Sequence, residues 1–223
     1  MGQAEIANGK LNIYSHLVVY GNAASESLTE MMREEIETMW NEPNVPVMFK
    51  NSELTPCFHI TASFEPGTSP LDIYQNVDPR NNYFRIEEFA HGNISFVDGI
   101  GCNSGYFKLE NLYKGSTTAA HEYGHTIGLQ HPIDLDLRGK GIPGIMYPRG
   151  TLVDSQYQYN PDGQAGDSNN GGTMHPKYRK VLPHDIAQLK LHKLVFENGK
   201  AVIGEFTSIW HPDHSTVSLY DIT

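Results

Sequence analysis

Apolar positions recur with partial alternation along residues 11–20, which predicts a strand stopping at the Gly21-Asn22 turn signal. The period then changes to that of a helix. Leu28, Met31, Met32, Ile36, Met39 and Trp40 share one face, Ser25 or Ser27 supplies the N-cap, and Pro43 closes the segment. That stripe is expected to pack in the core, leaving Glu26, Glu30, Glu34 and Glu37 as a solvated face. Residues 45–50 and 55–65 predict two further strands, the second alternating through Phe58, Ile60, Ala62 and Phe64. His59 points away from that row, as an exposed or hydrogen-bonded side chain rather than a metal ligand. A short helix over 68–76 and a strand over 82–88 complete a succession that suits an α/β unit with a mixed sheet.

Later segments are less regular. Residues 91–105 suit a loop over the sheet with a short strand at 94–97, and 106–109 is a second short strand candidate. Residues 134–139 place Arg138 where an EF-hand needs an oxygen ligand, so a solvated acidic turn is expected. Residues 153–181 form a long polar stretch with turn signals at Asn160-Pro161-Asp162-Gly163 and Asn169-Asn170-Gly171-Gly172. Such a loop lines a site, gates it, binds calcium through Asp154, Asp162 and Asp167, or is a solvated insertion. A helix is expected over 183–195, then a hairpin through Asn198-Gly199, a polar turn at His211-Pro212-Asp213-His214 and a strand over 216–220.

With 223 residues the chain can form one domain with a sizeable core, or one domain split by a cleft. A formal charge of −10 argues against a nucleic-acid surface and against anionic membranes. No apolar run approaches the roughly 18 residues of a membrane span. The polar, acidic start lacks the pattern of a signal peptide, which implies a mature form or a fragment of something longer. Cys57 and Cys102 allow at most one disulfide, and pairing or two buried thiols are equally compatible with the sequence.

The chemistry concentrates in residues 121–131, His-Glu-Tyr-Gly-His-Thr-Ile-Gly-Leu-Gln-His. On a helix, His121 and His125 project from one face and can bind a single ion. Glu122 is offset by one residue, towards the open side of such a metal, where a general base for its water would stand. Gly128 lets the helix end in the left-handed backbone region, the turn returns His131 as third ligand, and Pro132 prevents the helix from resuming. Hydroxyls at Ser116, Thr117 and Thr118 offer caps for the start of this helix.

His121-Glu122-x-x-His125-x-x-Gly128-x-x-His131 resembles the zinc signature of the metzincin clan of metallopeptidases. Around Met146, fifteen residues after His131, Gly144-Ile145-Met146-Tyr147-Pro148 is similar to the methionine turn of the matrixin branch. Pro148 stands where astacin-like and serralysin-like enzymes carry a tyrosine near the metal, so no such tyrosine switch is implied. Residues 182–186 resemble, more weakly, the start of the matrixin C-terminal helix. The resemblance implies a single catalytic domain over 1–223 with an α/β (α+β) zincin fold. Its upper lobe, about 1–128, would hold a mixed twisted sheet with long helices and the active-site helix. Its lower lobe, about 129–223, would be small and irregular, with the 153–181 insertion, a C-terminal helix and a β-rich tail over 196–223.

The resemblance further implies one catalytic zinc held by His121, His125 and His131, with Glu122 catalytic and Met146 as apolar flooring beneath the imidazoles. Tyr147 and Pro148 would begin the wall of the pocket for the residue after the scissile bond. Substrate would bind along an edge strand, at 94–97 or at 106–109. No structural zinc is expected, since only His91 is available upstream, and calcium has no support beyond the three aspartates named above. The expected function is a zinc-dependent endopeptidase acting on protein or peptide substrates, secreted or extracytoplasmic, and monomeric. The chain also resembles, more weakly, metallopeptidase domains at the ends of bacterial polymorphic toxins, which would bring a cognate immunity protein; a restraining inhibitor is the related partner. A zinc-containing binding module without catalysis is the alternative of another class, and intact Glu122 argues against it.

Overall fold

Strand β2 (Lys10–Tyr20) organises the sheet in the computed structural model, which describes residues 1–215. Along one edge it pairs in parallel with β4 (Ser52–Phe64) over nearly its full length. Its other edge is shared between two partners. Antiparallel β1 (Gly2–Ala7) takes residues 10–14 and parallel β5 (Asn81–Glu87) takes residues 16–20. Beyond β5 come β7 (Ser104–Lys108) and then β6 (Phe96–Val97), and β3 (Val47–Phe49) closes the far side against β4. The sheet is therefore mixed, as the order of elements implies.

Strand β1 was not legible as a strand in a segment read only as polar. Its signal is the Asn8-Gly9 pair, where φ values of 52° and 73° supply a two-residue hairpin turn into β2.

Helix α1 (Glu26–Asn41) begins where Ser25 Oγ accepts the Leu28 amide at 3.3 Å. Leu28, Met32, Ile36 and Trp40 are buried at helical spacing, each contributing about 1.5–3 kcal/mol through removal from water. Asn41 fastens the helix to β4 by exchanging hydrogen bonds with the Phe58 backbone at 2.8 and 2.9 Å. Glu37 is not simply solvated: it accepts the Ile60 amide at 3.2 Å and pairs with Arg33. His59 hydrogen-bonds Asn12 at 2.9 Å and stacks on Tyr14. Cys57 and Cys102 are unpaired thiols. No helix among the described residues is long and apolar enough to cross a membrane.

The second half departs from expectation in three places. Helix α4 (Pro183–Gln188) is shorter than the 183–195 helix expected, because Lys190 takes a φ of 51° and a separate helical turn, Leu191–Lys193, follows. The Asn198-Gly199 turn forms, but strand β8 (Lys200–Ile203) pairs with β1 rather than with residues 194–196. No further strand appears through residue 215, and the one expected over 216–220 lies outside the described residues. The expected polar turn at 211–214 is anchored instead: His211 bonds Asp98 at 2.6 Å, and His214 stacks on Tyr106 with centroids 3.7 Å apart.

Residues 153–181 are held in place by a small apolar cluster of Leu137, Val153 and Met174 and by three short helical turns, so they are not a freely solvated insertion. Asp167 serves a local turn, accepting the Asn169 and Asn170 amides, whereas Asp154 reaches out of the segment to accept the Gly139 amide. Among the described residues neither they nor Asp162 belong to a group placed to hold an ion.

Candidate metal centre

Helix α3 (Thr118–Thr126) carries the first two histidines and packs its Ala120 carbonyl against the indole Nε1 of Trp40, at 3.1 Å. Its amino end is capped differently from expectation. Thr117 is in the left-handed region and gives no side-chain cap, although Ser116 Oγ accepts the Thr118 amide at 3.2 Å. The main cap comes from α1. Glu35 accepts the Thr117 and Ala120 amides, each at 3.3 Å, and its charge is favourable at this end of the helix dipole. At the other end Gly128 takes a φ of 103°, and the chain turns towards His131.

Two backbone carbonyls fix the imidazoles. His121 Nδ1 lies 2.7 Å from Ile145 O, and His125 Nδ1 lies 2.7 Å from Leu129 O. A carbonyl can only accept, so each Nδ1 carries the proton and each Nε2 presents a bare lone pair. His131 Nε2 stands 3.0 Å from His121 Nε2 and 3.1 Å from His125 Nε2. It can donate to only one of them, and lone pairs so close repel unless a cation lies between. Burial also holds all three rings below their ordinary pKa, His125 at about 4, so they are neutral at pH 7. Nitrogen donors around a four-coordinate zinc stand about 3.3 Å apart, and this trio fits that spacing. Among the described residues they form the one group placed to hold a metal ion.

Glu122 is buried beside the triad and lines the same cavity of about 450 Å3. Burial pushes its carboxyl up to about 8, against the opposing pull of the Arg179 guanidinium and the Val97 amide. Ile94, Phe96 and Val97 form one wall, and Pro148 and Arg149 belong to the other. Among the described residues β6 pairs with β7 alone, whereas β7 lies between β5 and β6, so of the two candidate strands β6 carries the open edge. Met146 is buried below the helix, next to the carbonyl that orients His121. Tyr147 does not line the cavity; it packs against the Leu137, Val153 and Met174 cluster.

Arg179, missed in the sequence, joins the cavity from the far end of the 153–181 segment. It ties Thr117, Ser116 and Tyr147 together through its guanidinium. Nothing local marks it: a lone arginine in a polar loop acquires a role only through contacts about 60 residues distant in sequence.

No profile of a known protein family matches the chain. A 76-residue segment is 37% identical to Serralysin G of Dickeya chrysanthemi, covering 34% of this chain and 15% of that protein. The match thus spans a small part of that relative's length. Among solved structures, archaemetzincin of Methanopyrus kandleri aligns over 80% of this chain and 95% of its own, at 10% identity and a TM-score of 0.41. Myroilysin aligns over 82% of this chain and 76% of its own, at 14% identity and a TM-score of 0.30.

Proposed function

We propose that the chain is a zinc-dependent endopeptidase of metzincin type, working outside the cytoplasm on protein or peptide substrates. The observation that carries this reading is the trio of converging Nε2 atoms gathered in one cavity with a buried carboxylate and a strand edge that no described residue pairs. The 76-residue likeness to Serralysin G supports it.

His121, His125 and His131 would hold the metal, the tautomers of the first two set by the Ile145 and Leu129 carbonyls. When bound, zinc supplies Lewis acidity to the scissile carbonyl and to its water ligand. An extended peptide pairs with the free edge of β6 by main-chain hydrogen bonds, which lays its backbone across the cavity. Glu122 takes the proton of the attacking water and passes it to the leaving amine. Met146 and Ile145 form the support beneath His121, and the apolar wall of β6 limits water around Glu122.

The test is bound zinc and cleavage of a degenerate peptide library, measured together for the parent chain, Glu122→Gln and His125→Ala. One zinc per chain, with cleavage lost in both variants and metal lost chiefly in His125→Ala, is expected. Parental turnover in Glu122→Gln would overturn the general-base assignment. Stoichiometric zinc with no cleavage in the parent would favour the binding-module alternative.

A further inference from the structure

Arg179 is a buried cation that no carboxylate touches among the described residues; Glu122 and Glu35 act on it only through space, without a hydrogen bond. The residue is 3% exposed. Nε donates to Thr117 Oγ1 at 2.8 Å, Nη1 to the Tyr147 carbonyl at 3.2 Å and Nη2 to the Ser116 carbonyl at 3.3 Å, all neutral oxygens. No carboxylate oxygen lies within 4.0 Å of it among the described residues. A guanidinium has five N–H donors, so those three bonds leave donors to spare. A buried charge so placed is unfavourable until a counter-charge joins it.

Two further groups point the same way. Thr118 lines the cavity, is 5% exposed, and its Oγ1 has no hydrogen-bond partner among the described residues. Arg149 lines the cavity from an exposed position and has no ion-pair partner among the described residues. In a chain of charge −10, two arginines thus converge where, among the described residues, the lining carboxylate is Glu122 alone, already given proton transfer. The remaining wall of Ile94, Phe96, Val97, Ile100 and Pro148 lowers the local dielectric and strengthens any ion pair formed there.

We propose that this cavity receives the side-chain carboxylate of an aspartate or glutamate immediately after the cleaved bond, with Arg179 at its base and Arg149 at its mouth. The substrate class is therefore acidic peptide segments. The assignment rests on the peptidase reading for the position of the cleaved bond, because the wall of Pro148 and Arg149 follows the methionine turn. Arg179 offers a planar fork that a carboxylate can meet with two parallel hydrogen bonds, and Thr118 Oγ1 supplies a third donor. Asparagine or glutamine at that position would leave the guanidinium buried and unpaired. Lysine in place of Arg179 keeps the charge and loses the fork.

The test uses two pools of extended peptides, identical except that one position carries Asp or Glu in the first pool and Asn or Gln in the second. Binding is measured by calorimetry on zinc-loaded Glu122→Gln protein, which leaves the peptides uncut. The acidic pool is expected to bind on the order of a hundredfold more tightly. Arg179→Lys and Arg149→Ala, each added to that background, are expected to reduce the ratio by roughly tenfold. Lys180→Ala, which removes a surface partner of Glu42, should leave the ratio as it was. Equal binding of the two pools overturns the proposal, as does a ratio indifferent to both arginine substitutions. Cleavage of the same pools by the parent chain is a separate arm. Selective binding with no cleavage of either pool supports the acidic cavity and defeats the peptidase reading; neutral peptides cut as fast as acidic ones defeat the acidic cavity alone.

Discussion

Gly124 and Met146 leave no room for a side chain between them: a Cβ built at position 124 collides with Met146 Sδ and stands 3.1 Å from Trp40 Cζ2. Position 124, the last of the three between the helix histidines, is therefore small so that Met146 can rise against α3. That contact also brings the Ile145 carbonyl up to His121. In an exposed helix Gly→Ala would stabilise by up to about 1 kcal/mol. Here overpacking, worth about 1–3 kcal/mol, outweighs the gain. Gly124→Ala should lower stability in denaturant and weaken zinc binding, and a Met146→Ala second substitution should recover part of the loss. Unchanged zinc affinity in Gly124→Ala would show that the contact does not transmit to His121.

Zinc itself should act as a folding ligand. The three imidazoles that would hold it meet only in the folded chain, so free zinc at a hundred times its dissociation constant should add about 2.7 kcal/mol of stability. Thermal unfolding across a zinc titration, after chelator treatment, reads this directly. His125→Ala should abolish most of the shift; a full shift in that variant would place the metal elsewhere.

Thr117 bears a β-branched side chain at a φ of 57°, a backbone region that such residues rarely enter. Its hydroxyl offsets the strain, donating to Pro176 O at 2.9 Å and accepting from Arg179 Nε at 2.8 Å. Thr117→Ala should cost about 1–3 kcal/mol, since it strands both buried partners. Thr117→Ser should stay within about 0.5 kcal/mol, because it keeps the hydroxyl and sheds the branch. Equal losses in the two variants would argue that the methyl group, not the hydroxyl, secures the helix start.

Burial holds the Glu35 carboxyl above its ordinary value of 4.5, while the Ala120 and Thr117 amides pull it back. A folded value above the unfolded one means that the folded chain binds the proton more tightly. The associated stability is complete below about pH 4.5 and fades as pH rises through the raised value. Asp185 and Glu122 are shifted in the same direction, so the informative quantity is a difference between variants. In chelator-treated protein, the loss of stability from pH 5 to pH 8 should be smaller for Glu35→Gln than for the parent chain. Identical slopes would mean that Glu35 titrates as it does in the unfolded chain.

What the sequence disclosed follows the reach of each signal. Periodicity is local, so β2, α1, β4 and β5 were legible from Leu11, Ile36, Phe58 and their neighbours. The His121 to His131 spacing is local as well, and the three Nε2 atoms do meet. Glu35, Arg179 and the partner of β8 act across the chain, and no window of a dozen residues contains both ends of those contacts. Local strain decided α4: with Lys190 at positive φ, the apolar spacing of Ile186, Leu189 and Leu194 belongs to two short turns rather than one helix.

The clamp on α3 also sets a time order. Its amino end is held by Glu35, 82 residues upstream of Thr117, and by Arg179, 63 residues downstream of Ser116. A chain emerging from the ribosome at about 5–20 residues per second can form the β2–β4 pairing early. The cavity stays incomplete until Arg179 has cleared the exit. A half-made chain therefore carries its histidines without a finished cleft, and synthesis itself delays the moment at which the molecule can act on its surroundings.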